Sequence, residues 1–154
     1  MKKNIFYLII LLFFTFIFTI FYIGLDKPNF YTPKEIKNKS LEEFTSTELF
    51  SNEQFSSNDI IENNKFTLIN IWSSWCVPCR LEHSVLMDLS EKTDLNIVGL
   101  NYKDKKNNAI KFLNELGNPF SKILTDPDGI VSISLGAYGV PETFLLNNKS
   151  KIIR

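Results

Sequence analysis

Residues 66–83 read FTLINIWSSWCVPCRLEH. The first seven, FTLINIW, are a nearly continuous run of apolar and β-branched side chains, the pattern of a strand buried on both faces. From residue 76 to about residue 90, Leu81, Val85 and Leu89 recur every four positions, which predicts a helix with that row on one side. Residues 96–102, NIVGLNY, predict a second buried strand. Strand, helix and strand within this length form a βαβ unit, a parallel pair joined by a right-handed crossover. The fold class is therefore α/β, with a central mixed sheet flanked by helices.

Working outward, residues 107–116 predict another amphipathic helix, with Ala109, Phe112, Leu113 and Leu116 on one face and Gly117 as its stop. DPDG at 126–129 is a turn, residues 130–135 a short helix, and ETFLL at 142–146 a strand. NNKS then turns the chain into KIIR, the beginning of a hairpin partner. On the N-terminal side, residues 57–64 predict one or two helical turns opened by a capping Ser or Asn. Residues 26–43 are polar and carry Pro28 and Pro33, so they are expected to be a linker. SLEEF at 40–44 fits either a short first strand or the end of that linker. The folded domain is placed at 44–154, and no internal repeat is present.

The first 25 residues differ in kind. Lys2 and Lys3 precede about twenty mostly apolar residues, enough to cross a bilayer as a helix. A cleavable signal peptide is the competing reading, but its apolar run would be only about 7–15 residues and end at a small-residue site. Residues 23–27 offer no such pattern, so an uncleaved anchor over 1–25 is the expectation. The two lysines would keep the N-terminus in the cytoplasm and send the domain across the membrane. In a bacterium that places it in the periplasm, held by a single pass through the inner membrane, where an unprotected cysteine pair tends toward the disulfide. The 17 Lys and Arg balance the 17 Asp and Glu. With no basic stripe, a nucleic-acid partner is not expected.

Both cysteines of the chain, Cys76 and Cys79, and its one histidine, His83, fall inside the opening stretch. A zinc site built on these three would need a carboxylate such as Glu82 as fourth ligand, an uncommon set, so no metal is expected. Covalent haem attachment requires C-x-x-C-H, and position 80 is Arg. Redox chemistry fits the local physics better. Cys76 stands where a buried strand gives way to a helix, and unpaired amides and the positive end of the helix dipole favour a thiolate there. A cysteine in such a turn can have its pKa lowered from about 8.5 to about 3.5–7.5. Cys76 is thus the expected nucleophile, and Cys79, one helical turn on, the shielded thiol that resolves a mixed disulfide. Pro78 shapes the turn, since first-turn amides lack intrahelical partners. Trp75 is expected beside the sulfur as an apolar wall, and His83 on the helix surface. The two sulfurs carry the electrons, so no cofactor is required.

LINIWSSWCVPCRLEH, VGLNYKD, ELGNPF, DPDG and LGAYGVPETFLL together resemble the thioredoxin-like proteins. Within them they resemble the periplasmic thiol:disulfide reductases of cytochrome c maturation, the DsbE/CcmG family. GVPETF with NYKD and ELGNPF is far more specific than W-C-x-x-C alone. The resemblance runs from about residue 44 to 154, and the N-terminal anchor also matches. It implies a thioredoxin-like fold with Cys76 and Cys79 as the redox pair and Pro141 as a cis-proline facing them. Val140 would offer backbone groups to a substrate peptide. Glu82 and Glu142 become acidic residues that tune the site, where a carboxylate disfavours the thiolate and can accept a proton from Cys79. Asn70 stands where ordinary thioredoxins carry a buried Asp. The implied task is to keep the cysteines of apocytochrome c, or of a partner thiol protein, reduced for haem attachment. Electrons would arrive from a DsbD-type membrane reductant.

Family members continue the last hairpin and close with a helix on the sheet. This chain stops at KIIR, so the resemblance implies a C-terminally truncated domain lacking part of a strand and a helix. Three functions are compatible with the residues: a cytochrome c maturation reductase, another anchored thioredoxin-like reductase or oxidant, and a non-catalytic peptide-binding module.

Overall fold

The structure is a computed structural model and describes residues 2–25, 39–61 and 66–153. Its contacts divide the chain into two units, 1–34 and 35–154.

In the first unit, helix α1 runs Lys2–Leu25. Its span Lys3–Leu25 has a mean hydropathy of 2.7 and no buried share, so it is a candidate membrane span. The two threonines in it spend their hydroxyls on their own helix. Thr15 Oγ1 donates to the Leu11 and Leu12 carbonyls at 2.9 Å, and Thr19 Oγ1 to the Thr15 carbonyl at 2.7 Å. Each threonine hydroxyl is thereby satisfied within the helix, as a hydrocarbon environment favours.

The second unit contains strands β1 (Thr45–Glu48), β2 (Gln54–Ser56), β3 (Thr67–Trp72), β4 (Asn96–Tyr102), β5 (Lys122–Asp126) and β6 (Glu142–Leu146). Helices α2 (Val77–Lys92), α3 (Lys106–Leu116) and α4 (Ile130–Ser134) lie between them in the chain. The six strands pair in the order β2-β1-β5-β4-β3-β6. β3, β4 and β5 run parallel, and β6, β1 and β2 pair antiparallel, which gives the mixed sheet of a thioredoxin-like fold.

The run at 67–72 is buried at every position but the partly buried Leu68, yet it still alternates. Ile69 and Ile71 join a cluster with Val98, Leu100, Leu124, Phe144 and Leu146, while Trp72 and the partly buried Leu68 join Leu86, Phe112, Leu113 and both cysteines. Successive strand residues face opposite sides, so two cores form, one on each face of the sheet. Asn70 falls on the face of Leu68 and Trp72.

The helix row predicted from Leu81, Val85 and Leu89 is turned differently. Leu81 is 76% and Val85 58% exposed, and Cys79, His83 and Leu86 face the core. The disulfide holds Cys79 inward, and at about 100° per residue a side chain two positions further on points away from it. His83, expected on the surface, is buried for the same reason: it lies four residues after Cys79, on the same face.

Residues 57–60 form a turn rather than a helix, with Asp59 N–H donating to the Ser56 carbonyl; residues 62–65 of that prediction lie outside the described ones. So do residues 26–38 of the predicted linker. Ser40, within that predicted span, bridges Lys151, and Leu41 N–H donates to the Ser150 carbonyl at 2.7 Å. Of the KIIR stretch, Ile152 bridges Leu146 on β6.

Candidate active site

Strand β3 ends at Trp72 and α2 begins at Val77, so Ser73 to Cys76 make the turn that carries the chemistry. Cys76 and Cys79 are joined as a disulfide with Cα atoms 5.3 Å apart. Cys76 is the N-cap of α2, and its Sγ accepts from the Cys79 amide at 3.1 Å, with Pro78 in the first helical turn. Exposure barely separates the two cysteines, at 4% for Cys76 and 2% for Cys79. What separates them is the helix end. Cys76 Sγ receives a first-turn N–H and sits at the positive end of the dipole, so a thiolate there is stabilised.

A clamp holds the outer side of the turn. Ser73 Oγ donates to the Tyr102 carbonyl, in a short bond from β3 to the end of β4. Ser74 gives its amide and hydroxyl to Asp104, at 2.6 and 2.8 Å. Asp104 also accepts from Asn101 Nδ2 and from the Lys105 amide. Trp75, expected as a wall beside the sulfur, is 56% exposed, and its indole N–H donates to the Lys103 carbonyl at 3.0 Å.

On the inner side a second polar cluster crosses three elements. Asn70 on β3 is fully buried, and its Nδ2 donates to Glu82 Oε1 on α2 at 2.9 Å and to Thr143 Oγ1 on β6 at 3.0 Å. Asn70 and Thr143 are direct register partners across the β3–β6 pair, and Glu82 follows Cys79 by one turn on the same helix face. His83 Nε2 lies 3.0 Å from the Gly117 carbonyl, and its ring meets Phe112 edge-on. His83 and Glu82 are thus each engaged away from a common centre. Among the described residues no group of three or more metal-ligating side chains gathers.

The loop before β6 also reaches this core. The Val140–Pro141 bond is cis. Val140 packs against the cluster that contains both cysteines. Glu142 accepts from the Tyr138 amide at 2.9 Å and so closes the loop that carries the proline. The structure therefore brings Asn70, Cys76, Cys79, Glu82 and Val140 into one neighbourhood and uses Glu142 as a brace for the loop. Asp104, Ser73, Ser74 and Thr143 were not singled out from the sequence. Asp104 and Thr143 do lie within the NYKD and GVPETF segments.

Comparison with known proteins agrees with this geometry. The Redoxin family model matches residues 36–154. The thiol:disulfide interchange protein CycY of Rhizobium leguminosarum bv. viciae is 49% identical over 89 residues, covering 58% of this chain and 48% of that protein. A protein of Pasteurella multocida (strain Pm70), named a probable thiol:disulfide interchange protein DsbE-2, is 34% identical over 146 residues, 95% of this chain and 76% of its own. Among solved structures, a DsbF homologue from Corynebacterium diphtheriae superposes with a TM-score of 0.65 at 26% identity, covering 82% of this chain and 84% of that one. The chain spans about half the length of CycY and of the DsbE proteins of Tatumella citrea and Escherichia coli. With a disulfide capping the helix that follows a buried strand, and a cis-proline loop whose Val140 packs on the same core cluster, the chain belongs to the Redoxin family, among the thioredoxin-like thiol:disulfide interchange proteins of the DsbE kind.

Proposed function

We propose that the protein is a membrane-anchored thiol:disulfide oxidoreductase of the bacterial periplasm. It reduces the disulfide of apocytochrome c, or of a thiol protein that serves it, so that haem can be attached. The observation that carries the reading is the Cys76–Cys79 disulfide at the α2 N-cap, packed with Val140 of the cis-proline loop. The apolar span at Lys3–Leu25 suits a domain tethered in the inner membrane beside its electron donor and its client.

In the working cycle, the Cys76 thiolate attacks a client disulfide and forms a mixed disulfide. Cys79 then attacks Cys76, which releases the client as a dithiol and leaves Cys76 and Cys79 joined. A DsbD-type dithiol protein returns two electrons and two protons. Glu82, one turn from Cys79 on the same face, takes up the proton that Cys79 must shed before it attacks. Val140 presents its backbone to the client chain beside Pro141.

Capture in living cells tests the proposal. Full-length Cys79→Ser protein should accumulate a mixed disulfide with a haem-attachment client. Cys76→Ser should capture nothing and abolish thiol exchange. Strains carrying Cys76→Ser should lose c-type cytochromes. Normal cytochrome levels with capture of unrelated proteins would point to a general oxidoreductase, and unimpaired function of Cys76→Ser would leave only a binding module.

A further inference from the structure

Both protons of the Asn70 amide nitrogen are spent, on Glu82 Oε1 and Thr143 Oγ1. A carboxylate only accepts, which fixes the nitrogen rather than the oxygen on that side. Oδ1 is left without a hydrogen bond on a residue with no exposure at all. A buried carbonyl in that state costs free energy and calls for a donor. The indole N–H of Trp72 is the other unpaired buried side-chain atom among the described residues, and it makes no hydrogen bond to Asn70 Oδ1. It lies against Gly99 on β4, where a Cβ would come within 2.9 Å, and its ring stacks on Phe120. Asn70 Nδ2 is turned toward α2 and β6, and Gly99 is the register partner of Asn70 on β4.

One donor exists only in the other redox state. In the disulfide, Cys79 Sγ carries no proton. A reducing dithiol protein attacks Cys76 Sγ, the S–S bond breaks, and the electron pair leaves on Cys79, which takes up a proton. The donor's second thiol then displaces Cys76, so the donor becomes a disulfide and this protein a dithiol. Cys79 now holds an S–H within a core from which water is excluded. Asn70 shares the face of β3 that packs on this core, and its amide already reaches α2 one turn beyond Cys79.

We propose that Asn70 Oδ1 accepts the hydrogen bond of the reduced Cys79 thiol. The acceptor is orphaned in the disulfide and satisfied in the dithiol, so Asn70 biases the couple toward the reduced form. The inference rests on Cys76 and Cys79 being the working redox pair, and not on the identity of the client.

The test is vibrational and needs no client. In full-length Cys76→Ser protein Cys79 is the sole thiol, and its S–H stretching band reports the bond directly. The band should lie at the lowered frequency of a hydrogen-bonded thiol. Adding Asn70→Leu should return it to the free position, Asn70→Asp should keep it lowered, and Glu82→Ala should leave it in place. In the protein with both cysteines, Asn70→Leu should move the equilibrium with a reference dithiol about tenfold toward the disulfide, close to 30 mV. A free-thiol band in Cys76→Ser alone, or a band that follows Glu82 rather than Asn70, overturns the proposal. Should Asn70→Leu fail to fold, the Cys76→Ser band and the Asn70→Asp and Glu82→Ala variants still decide it.

Discussion

Two polar clusters flank the same disulfide, and they are built on opposite terms. On the outer side, Asp104 receives the Ser74 amide and hydroxyl, the Asn101 side chain and the Lys105 amide. On the inner side, Asn70 bridges Glu82 and Thr143 but keeps one oxygen unpaired. The outer cluster is saturated, so it holds a shape. The inner one has spare capacity, so it can respond when the sulfurs change state. A redox turn needs both, because exchange must alter the bonding of the sulfurs without letting the backbone drift.

The contrast predicts an ordered set of effects. The largest is at the clamp. Asp104→Ala strands donors on Ser74, Asn101 and Lys105, and should lower unfolding free energy by about 2–3 kcal/mol, measured by denaturant titration. A loss under about 0.5 kcal/mol would mean that water takes over the clamp and that the contrast is false.

Next comes Glu82→Gln. It keeps an oxygen for the Asn70 amide, so stability should change by less than about 0.5 kcal/mol. The rate at which Cys79 resolves a mixed disulfide should fall by about 10²-fold or more, as expected when a positioned proton acceptor is lost. Stopped-flow exchange with a model disulfide separates the two quantities. An unchanged rate would remove Glu82 from the chemistry.

Smaller still is Thr143→Val, which removes an acceptor at an exposed position and should cost about 0.5–1 kcal/mol. Its effect on exchange rates should be minor, because Glu82 remains to hold the Asn70 nitrogen.

The smallest effect lies far from the sulfurs. Asp59 also gathers donors, accepting from the Ser56 hydroxyl and amide, both at 2.7 Å, but in solvent. The Ser56 hydroxyl first, then its amide, holds the Asp59 carboxyl below its ordinary range. A depressed folded value contributes stability that is complete above the unfolded pKa and lost as pH falls through the folded one. NMR titration of Asp59 should find its midpoint on the acid side of an unstructured Asp. A midpoint at or above the ordinary value would show that the pairing does not persist in water.

Strands β3, β4 and β6, helices α2 and α3 and the cysteine turn were legible because they are carried by apolar runs, periodicity and one strong local motif, whereas the parallel strand β5 was not predicted. The edge hairpin of β1 and β2 was not, since Thr45–Glu48 and Gln54–Ser56 are short and polar, and their pairing is set by β5 across the sheet. The buried face of α2 was misread because the disulfide, rather than the leucine row, orients that helix. His83 followed from the same cause. Asn70 could be placed on a buried strand from sequence. The bond that links it to Glu82 could not, because it joins residues on different elements whose spacing only tertiary packing sets. The cis state of Pro141 came through resemblance alone, since local sequence favours neither isomer strongly enough to decide.

The two tryptophans of the redox turn give the molecule separate optical channels. Trp72 is 2% exposed and stacked on Phe120 at 5.6 Å, so its emission reports whether the core on that face is assembled. Trp75 is 56% exposed, held by its indole N–H on the Lys103 carbonyl and by its ring against Tyr102, so its emission reports the surface of the turn. Replacing either one by Phe leaves a single-tryptophan protein, so the two signals are read separately, one in each variant.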